Sequence, residues 1–404
     1  MIVHSERPDS GSAARILFLF SDTGGGHRAA AQAIDRALKA LPGGSSIETQ
    51  QIDAFASSWF PVREGVASYG TMLKVQPSPY PAIYHLTNGR TRFRVISELG
   101  MPFVRRSFRR MLAATRPNIV VSVHPLLNTF ARRLIQSMRI DASLVTVITD
   151  LVTIHHSWTT GAAADEYVVP SPEAGTLCVE RGIPPARVHD LGLPIRAGFT
   201  PRAGTAAEAK SSIGLDADRR TLLVMGGGEG GGRLKHLLAD IASTVRALDL
   251  QLVIITGRNE QLRKHLTENA TEFGRGARIL GFVENVADHM RAADLLLTKA
   301  GPGAIAEAAA VGLPVVLYEY ISGQEKGNLD YVRSRGAGVV ALDDGSVIAA
   351  LDRLFAPASA ELEGMRVRAL RSARPNAAHD IACFLTEMLA RVNAVSTSGR
   401  RVRP

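Results

Sequence analysis

Twice in this chain a short apolar run ends in a cluster of glycines that opens a helix-forming segment. The first instance is "ILFLFSDTGGGHRA", from Ile16 to Ala29, and the second is "TLLVMGGGEGGG", from Thr221 to Gly232. A buried strand that turns through glycines into a helix is the opening unit of a parallel, doubly wound sheet. Each half of the chain has one such opening. The expectation is therefore an α/β protein with two Rossmann-like domains whose parallel sheets face a central cleft. At 404 residues there is chain enough for two cores.

Hydrophobic patterning extends both halves. In the first, strands are expected at 15–20, 46–52, 118–123, 144–149 and 166–170, with helices near 27–41, 126–138 and 172–181. In the second, strands are expected at 219–225, 250–256, 277–282, 294–299, 313–319 and 338–342, each followed by a helical pattern. A long insertion, 55–116, separates the second and third strands. The small, polar stretch "RAGFTPRAGTAAEAKSSIGLDAD" reads as a linker. The expected organisation is an N-terminal domain at 14–196, a linker at 197–218 and a C-terminal domain at 219–373. A helix at 374–392 then packs back toward the first domain, and a basic tail occupies 393–404.

Both glycine clusters formally satisfy G-x-G-x-x-G/A, through Gly24, Gly26 and Ala29 and through Gly226, Gly228 and Gly231. An NAD-dependent oxidoreductase would also place an acid at the end of the second strand to hold the ribose. Glu48 falls inside its strand, Asp53 comes late, and "LQLVIITGRNE" offers Gly257 and Arg258 instead. A dinucleotide also gives no reason to duplicate the loop. A phosphate anion explains more, because bare N–H groups at helix starts bind phosphate. In "DLLLTKAGPGAIAEAAAVG", Lys299 and the amides around Gly301 and Gly303 can hold a diphosphate, and Glu307 can reach ribose hydroxyls.

Several stretches, "SDTGGGHRAAAQAI", "VITDLVTIHHSW", "GLPIR" and "ILGFVENVADHMRAADLLLTKAGPGAIAEAAAVGLPVVLYEYISGQEKGN", resemble the monogalactosyldiacylglycerol synthases and related bacterial diacylglycerol glycosyltransferases. These are relatives of the peptidoglycan lipid N-acetylglucosaminyltransferase. The resemblance runs from about Arg15 to Ala390. It implies the GT-B fold, with the acceptor in the N-terminal domain and a UDP-sugar in the C-terminal one. By the same resemblance Phe282 and Val283 sit against the uracil and Glu307 binds the ribose. Gly227, Gly228, Lys299, Gly301 and Gly303 line the phosphates, with Arg196 reaching them from the linker. Gln324, Glu325 and Asn328 read the sugar hydroxyls. Ala304 stands where the family has Thr, which removes one hydroxyl from the phosphate site.

Inverting transfer of a hexose needs a base for the acceptor hydroxyl. His27 opens the first helix, where Gly25 and Gly26 let an acceptor headgroup approach, and an imidazole suits the task near neutral pH. Asp150 either orients His27 or is itself the base; His155 and His156 are weaker candidates. Trp158 matches the family's acceptor-site tryptophan, an indole suited to glycerol and acyl-chain contact. The only DxD match, at 216–218, reads as a turn, so Lys299, Arg196 and helix N-termini are expected to stabilise the leaving UDP without a metal or other cofactor.

The formal net charge of +9 calls for an anionic partner. No helix-turn-helix, zinc-finger or RNP pattern accompanies it, so nucleic acid is not expected. The charge concentrates in "GRTRFRVISELGMPFVRRSFRRMLAATRP", where arginines alternate with bulky apolar residues. Arg92, Phe93, Arg105, Arg106, Arg109 and Arg110 are expected to dock the first domain on anionic lipid. The first fourteen residues lack a signal-peptide core, no stretch is long enough to span a bilayer, and Cys178 and Cys383 form no framework. The expected location is cytoplasmic, peripheral on the inner face of the membrane. The function expected is transfer of a hexose, galactose foremost, from UDP to diacylglycerol. A UDP-glucose-dependent or processive glycolipid synthase is the alternative. An NAD-dependent oxidoreductase and a non-catalytic nucleotide-binding module stand further off. Non-hydrolysing UDP-sugar epimerases share the fold but carry an acid-rich Ser-Gly-Gly turn in place of "KAGPGAIAEA".

Overall fold

The computed structural model describes residues 13–21, 25–56, 80–226, 232–357 and 359–398. Twelve strands form two six-stranded sheets in which every paired neighbour is parallel. The first holds β1 (Arg15–Phe20), β2 (Glu48–Asp53), β3 (Ile119–Ser122), β4 (Ser143–Val147), β5 (Glu166–Val169) and β6 (Val188–Asp190), in the order β2-β1-β3-β4-β5-β6. The second holds β7 (Thr221–Met225), β8 (Gln251–Ile255), β9 (Arg278–Leu280), β10 (Leu295–Lys299), β11 (Val315–Glu319) and β12 (Gly338–Val340), in the order β12-β11-β10-β7-β8-β9. Winding reverses between β1 and β3 in one sheet and between β7 and β10 in the other. A crevice opens beyond the strand ends at each reversal, and that is where ligands of such sheets bind. Gly25 and Gly26 follow β1, and Gly226 follows β7, at these reversals.

The strand residues alternate between two buried faces, as a covered parallel sheet requires. Ile16, Phe18 and Phe20 of β1 enter one core and Leu17 and Leu19 the other. The helix Ala377–Ser398 completes the first of these cores, burying Ile381, Leu385 and Leu389 against the N-terminal sheet. Gly25 caps the helix Gly26–Ala40 at φ 83°, a left-handed conformation that costs a side-chain-bearing residue energy.

Two features were not anticipated. The short strand β6 lies at the edge of the first sheet, where its three residues carry too little pattern to be read. The stretch read as a linker contains a helix, Ala206–Ser212, closed by a reciprocal cap between Thr205 and Glu208. Lys210 of this helix is buried, with its ammonium 2.9 Å from Asp294 and donating to the Arg219 carbonyl at 2.6 Å. The helix is thus part of the second domain's packing. Its polar composition hid this, because the anchor is a buried lysine and not an apolar face.

Within the insertion, the helices Tyr80–Thr87 and Arg90–Thr115 are described; residues 57–79 lie outside the described set. Among the described residues no helix is long and apolar enough to cross a membrane.

Candidate active site

The first wall of the cleft is built at the reversal between β1 and β3. His27 stands in the first turn of the helix Gly26–Ala40, and among the described residues a Cβ added at Gly25 or Gly26 would meet nothing within 4 Å. The ring itself is held from behind. Its Nδ1 is hydrogen-bonded to Thr149 Oγ1 at 3.0 Å, and His124 stacks edge-on with ring centroids 4.6 Å apart. Burial pushes the His27 imidazole down to about 4, against the pull of the Val123 carbonyl. His124 is held well below its ordinary value by burial and by His27. Both rings are neutral near pH 7.

The opposite wall is built at the reversal between β7 and β10. Lys299 ends β10, and the helix Pro302–Val311 begins with Gly301 at its N-cap, where no side chain caps the amides. Gly303 is exposed in the first turn, with nothing near a would-be Cβ. Its N–H and that of Ala304 face outward at a positive helix end. Glu307, one turn on, is largely buried, and this raises its carboxyl to about 7; Arg196, 3.9 Å away, opposes the shift. Phe282 is 62% exposed, so its face is open to a planar ring, and the Arg258 guanidinium lies 5.8 Å from its centroid. Val283 packs against the core beneath.

The first domain thus offers a neutral imidazole at the end of its sheet, and the second an uncapped helix end beside a lysine and a buried carboxyl. The profile of the monogalactosyldiacylglycerol (MGDG) synthase family matches residues 27–195, and that of the glycosyltransferase family 28 C-terminal domain matches residues 221–381. The chain is 32% identical over 395 residues to the chloroplastic MGDG synthase of Spinacia oleracea, covering 96% of this chain and 74% of that protein. It is likewise 32% identical over 406 residues to MGDG synthase 1 of Arabidopsis thaliana, covering 97% and 73%. The chain belongs to the MGDG synthase family. It is a glycosyltransferase of galactolipid synthesis.

Solved structures at lower identity share the fold. MurG of Acinetobacter baumannii superposes with a TM-score of 0.58 at 15% identity, covering 93% of this chain and 99% of that one. The UDP-GlcNAc 2-epimerase of Neisseria meningitidis, solved with UDP-GlcNAc, gives 0.57 at 13%, covering 92% and 100%. The GT-B arrangement of two parallel α/β domains is therefore present in this member of the MGDG synthase family.

Several residues expected in the cleft occupy other places. Trp158 is fully buried, so it offers no surface to an acyl chain. Its indole N–H donates to Asp150 Oδ2 at 2.6 Å, and the Gln324 amide donates to Asp150 Oδ1 at 3.0 Å. The Asp150 carboxylate is thus shared between an indole and the opposite domain, while the hydrogen bond to His27 comes from Thr149. Asn328 is buried and donates to the Ala300 carbonyl at 2.8 Å, bracing the Lys299–Gly301 turn from below. Glu325 is also buried; its Oε2 accepts from the Ile321 amide at 2.7 Å and its Oε1 lies beneath Gly301. Both residues brace the loops around the Lys299–Gly301 turn, and the expectation that they read sugar hydroxyls rests on the shared "GQEKGN" pattern alone. Gly227 and Gly228 lie outside the described residues. His155 is buried, bonded to Ser157 and Thr87.

His124 and Thr149 were missed in the sequence. Each follows the end of a strand, in "VVSVHP" and "VTVITD", at the edge that faces the cleft. Position relative to the strand end was the usable signal.

The basic segment also divides differently. Phe93 is 2% exposed and packs edge-on against His155, so it is a core residue and not a membrane anchor. Arg92, Arg105, Arg106, Arg109 and Arg110 are exposed, and the last four line a hollow of about 360 Å³ with Pro102. The apolar residues that do reach the surface beside them are Leu86, Val95, Ile96, Leu99 and Phe103.

Proposed function

We propose that this chain transfers a hexose, galactose, from a UDP-sugar to the free hydroxyl of a diacylglycerol at a membrane surface, with inversion at the anomeric carbon. The observation that supports the reading is a neutral imidazole at the glycine turn of the first sheet together with an uncapped helix end beside Lys299 and Glu307 in the second domain. The relatives' names support a galactolipid product. The acceptor oxygen bonds to the anomeric carbon as the bond from that carbon to the UDP oxygen breaks. The acceptor proton passes to His27, which is neutral and so able to accept it. Charge developing on UDP is balanced by Lys299, Arg196 and the amides at Gly303 and Ala304, groups that are in place before reaction. Glu307 receives the ribose hydroxyls and Phe282 covers the uracil.

Diacylglycerol stays in the bilayer, so the first domain must meet it there. The exposed arginines of the helix Arg90–Thr115, interleaved with Leu99 and Phe103, support docking on anionic lipid from the cytoplasmic face. Added salt then weakens the binding.

The test is product analysis on anionic vesicles containing diacylglycerol, offered UDP-galactose and UDP-glucose separately without added metal. One neutral monoglycosyl lipid from UDP-galactose is the expected product. A monoglucosyl lipid formed from UDP-glucose alone moves the donor assignment, and a ladder of products makes the enzyme processive. Consumption of neither donor overturns the reading.

A further inference from the structure

The segment that follows β4 crosses the cleft. Leu151 is buried in the core of the second domain, together with Ile195 and Phe199. Thr153 Oγ1 accepts from the Gly327 amide at 3.1 Å, at the start of the helix Lys326–Arg335. Between them and Thr149 sits Asp150, whose oxygens accept one from Trp158 at 2.6 Å and one from Gln324 at 3.0 Å. The indole belongs to the first domain and the amide to the second, so this carboxylate ties the two domains together. One peptide bond away, Thr149 holds Nδ1 of His27.

We propose that Asp150 is a positioning residue that carries closure of the second domain, through Gln324, to His27 by way of Thr149. The proposal rests on the reading of His27 as the proton acceptor. It assigns Asp150 to positioning because its two oxygens hold the indole and the amide and the hydrogen-bonded partner of His27 is Thr149. When Gln324 reaches Asp150, the 149–153 segment is pinned at both ends and the Thr149 hydroxyl is fixed against the imidazole. When the domains part, that restraint is released, so His27 is set for proton transfer only in the closed cleft. A protein that met its acceptor with the cleft open would then not waste donor on water.

The test uses charge exchange across the latch. Gln324→Glu sets two carboxylates against each other and is expected to open the cleft, read as a larger radius of gyration by small-angle scattering. Adding Asp150→Asn restores a carboxylate–amide bond and still leaves an acceptor for the Trp158 indole, so the double variant is expected to close again. The His27 imidazole is followed by NMR titration, with His27→Gln supplying the assignment. Its midpoint is expected to rise by at least one pH unit in Gln324→Glu and to return in the double variant. Gly327→Ala makes a second, non-polar wedge, because the new Cβ would run into Thr153 Oγ1 and lie 3.0 Å from Val152. It is expected to open the cleft, shift His27 in the same sense and lower kcat at least tenfold, with UDP affinity within twofold. Opening without movement of the His27 midpoint overturns the coupling. A Gln324→Glu protein that stays closed overturns the latch. Neither readout needs turnover, so a wild type that transfers from no UDP-sugar refutes the functional reading and leaves this test intact.

Discussion

A histidine packed edge-on against a second histidine in a half-dry corner gives up its proton early. For His27 the folded value is about 4 against 6.5 when unfolded, so between those limits the unfolded chain binds the extra proton. Stability is lost as pH falls from 6.5 toward 4, at up to about 1.4 kcal/mol per pH unit from this group. His27→Gln removes that dependence. Denaturant unfolding at pH 7 and pH 4.5 is expected to show a smaller acid loss in the variant than in wild type. The same variant is expected to lower kcat by roughly 10²–10⁴-fold, the range for a positioned general base. Glu307 runs the other way. Burial raises it to about 7, so its carboxylate form fills in between pH 6 and pH 8, and a carboxylate accepts ribose hydroxyls more strongly than the acid does. The UDP affinity of wild type relative to Glu307→Gln is therefore expected to rise several-fold over that interval by calorimetry. A constant ratio removes Glu307 from the ribose.

At the scale of the element, the helix Arg90–Thr115 presents two apolar faces to different surroundings. Phe93, Val104, Phe108 and Leu112 are buried, whereas Val95, Leu99 and Phe103 are 51%, 70% and 40% exposed. Leu99→Glu with Phe103→Glu is expected to weaken binding to anionic vesicles at least fivefold, with unfolding stability unchanged within about 0.5 kcal/mol. Phe93→Ala is expected to cost about 3–5 kcal/mol of stability and leave vesicle affinity of the folded protein alone. Flotation and denaturant unfolding on the same preparations separate the two. This helix also marks the limit of sequence reading. The covered strands of both sheets were legible because continuous apolar runs beside glycines have few other uses. The strand end at Lys299, the turn at Gly301 and the helix that carries Glu307 were legible because they follow one another along the chain. Phe93 and Leu99 were not separable, since both stand among arginines and the partner that covers Phe93, His155, comes 62 positions later. Trp158 was misassigned for the same kind of reason: an indole reads as a surface contact until a buried carboxylate is found at its N–H.

At the scale of the molecule, the two domains are not two independent lengths of chain. The face of the first sheet that carries Ile16, Phe18 and Val121 is closed in part by Ile381, Leu385 and Leu389, from the far end of the sequence. Without them that face would be exposed to water over several fully buried strand residues. The first domain therefore depends on the last helix, which returns from beyond the second domain to close it. Leu385 is fully buried, and Leu385→Ala is expected to cost about 2–5 kcal/mol, the usual price of an unfilled core position. The location of that loss is more telling than its size. Amide exchange is expected to quicken in β1, in β3 and in the helix Gly26–Ala40 that carries His27, while β7 and β10 keep their protection and UDP still binds. The variant would then lose acceptor-side chemistry before donor binding, although the substituted residue lies far along the chain from the β1–β3 reversal of the first domain. Exchange that quickens only within Ala377–Ser398 would mean that the helix is an appendage and the first domain stands without it.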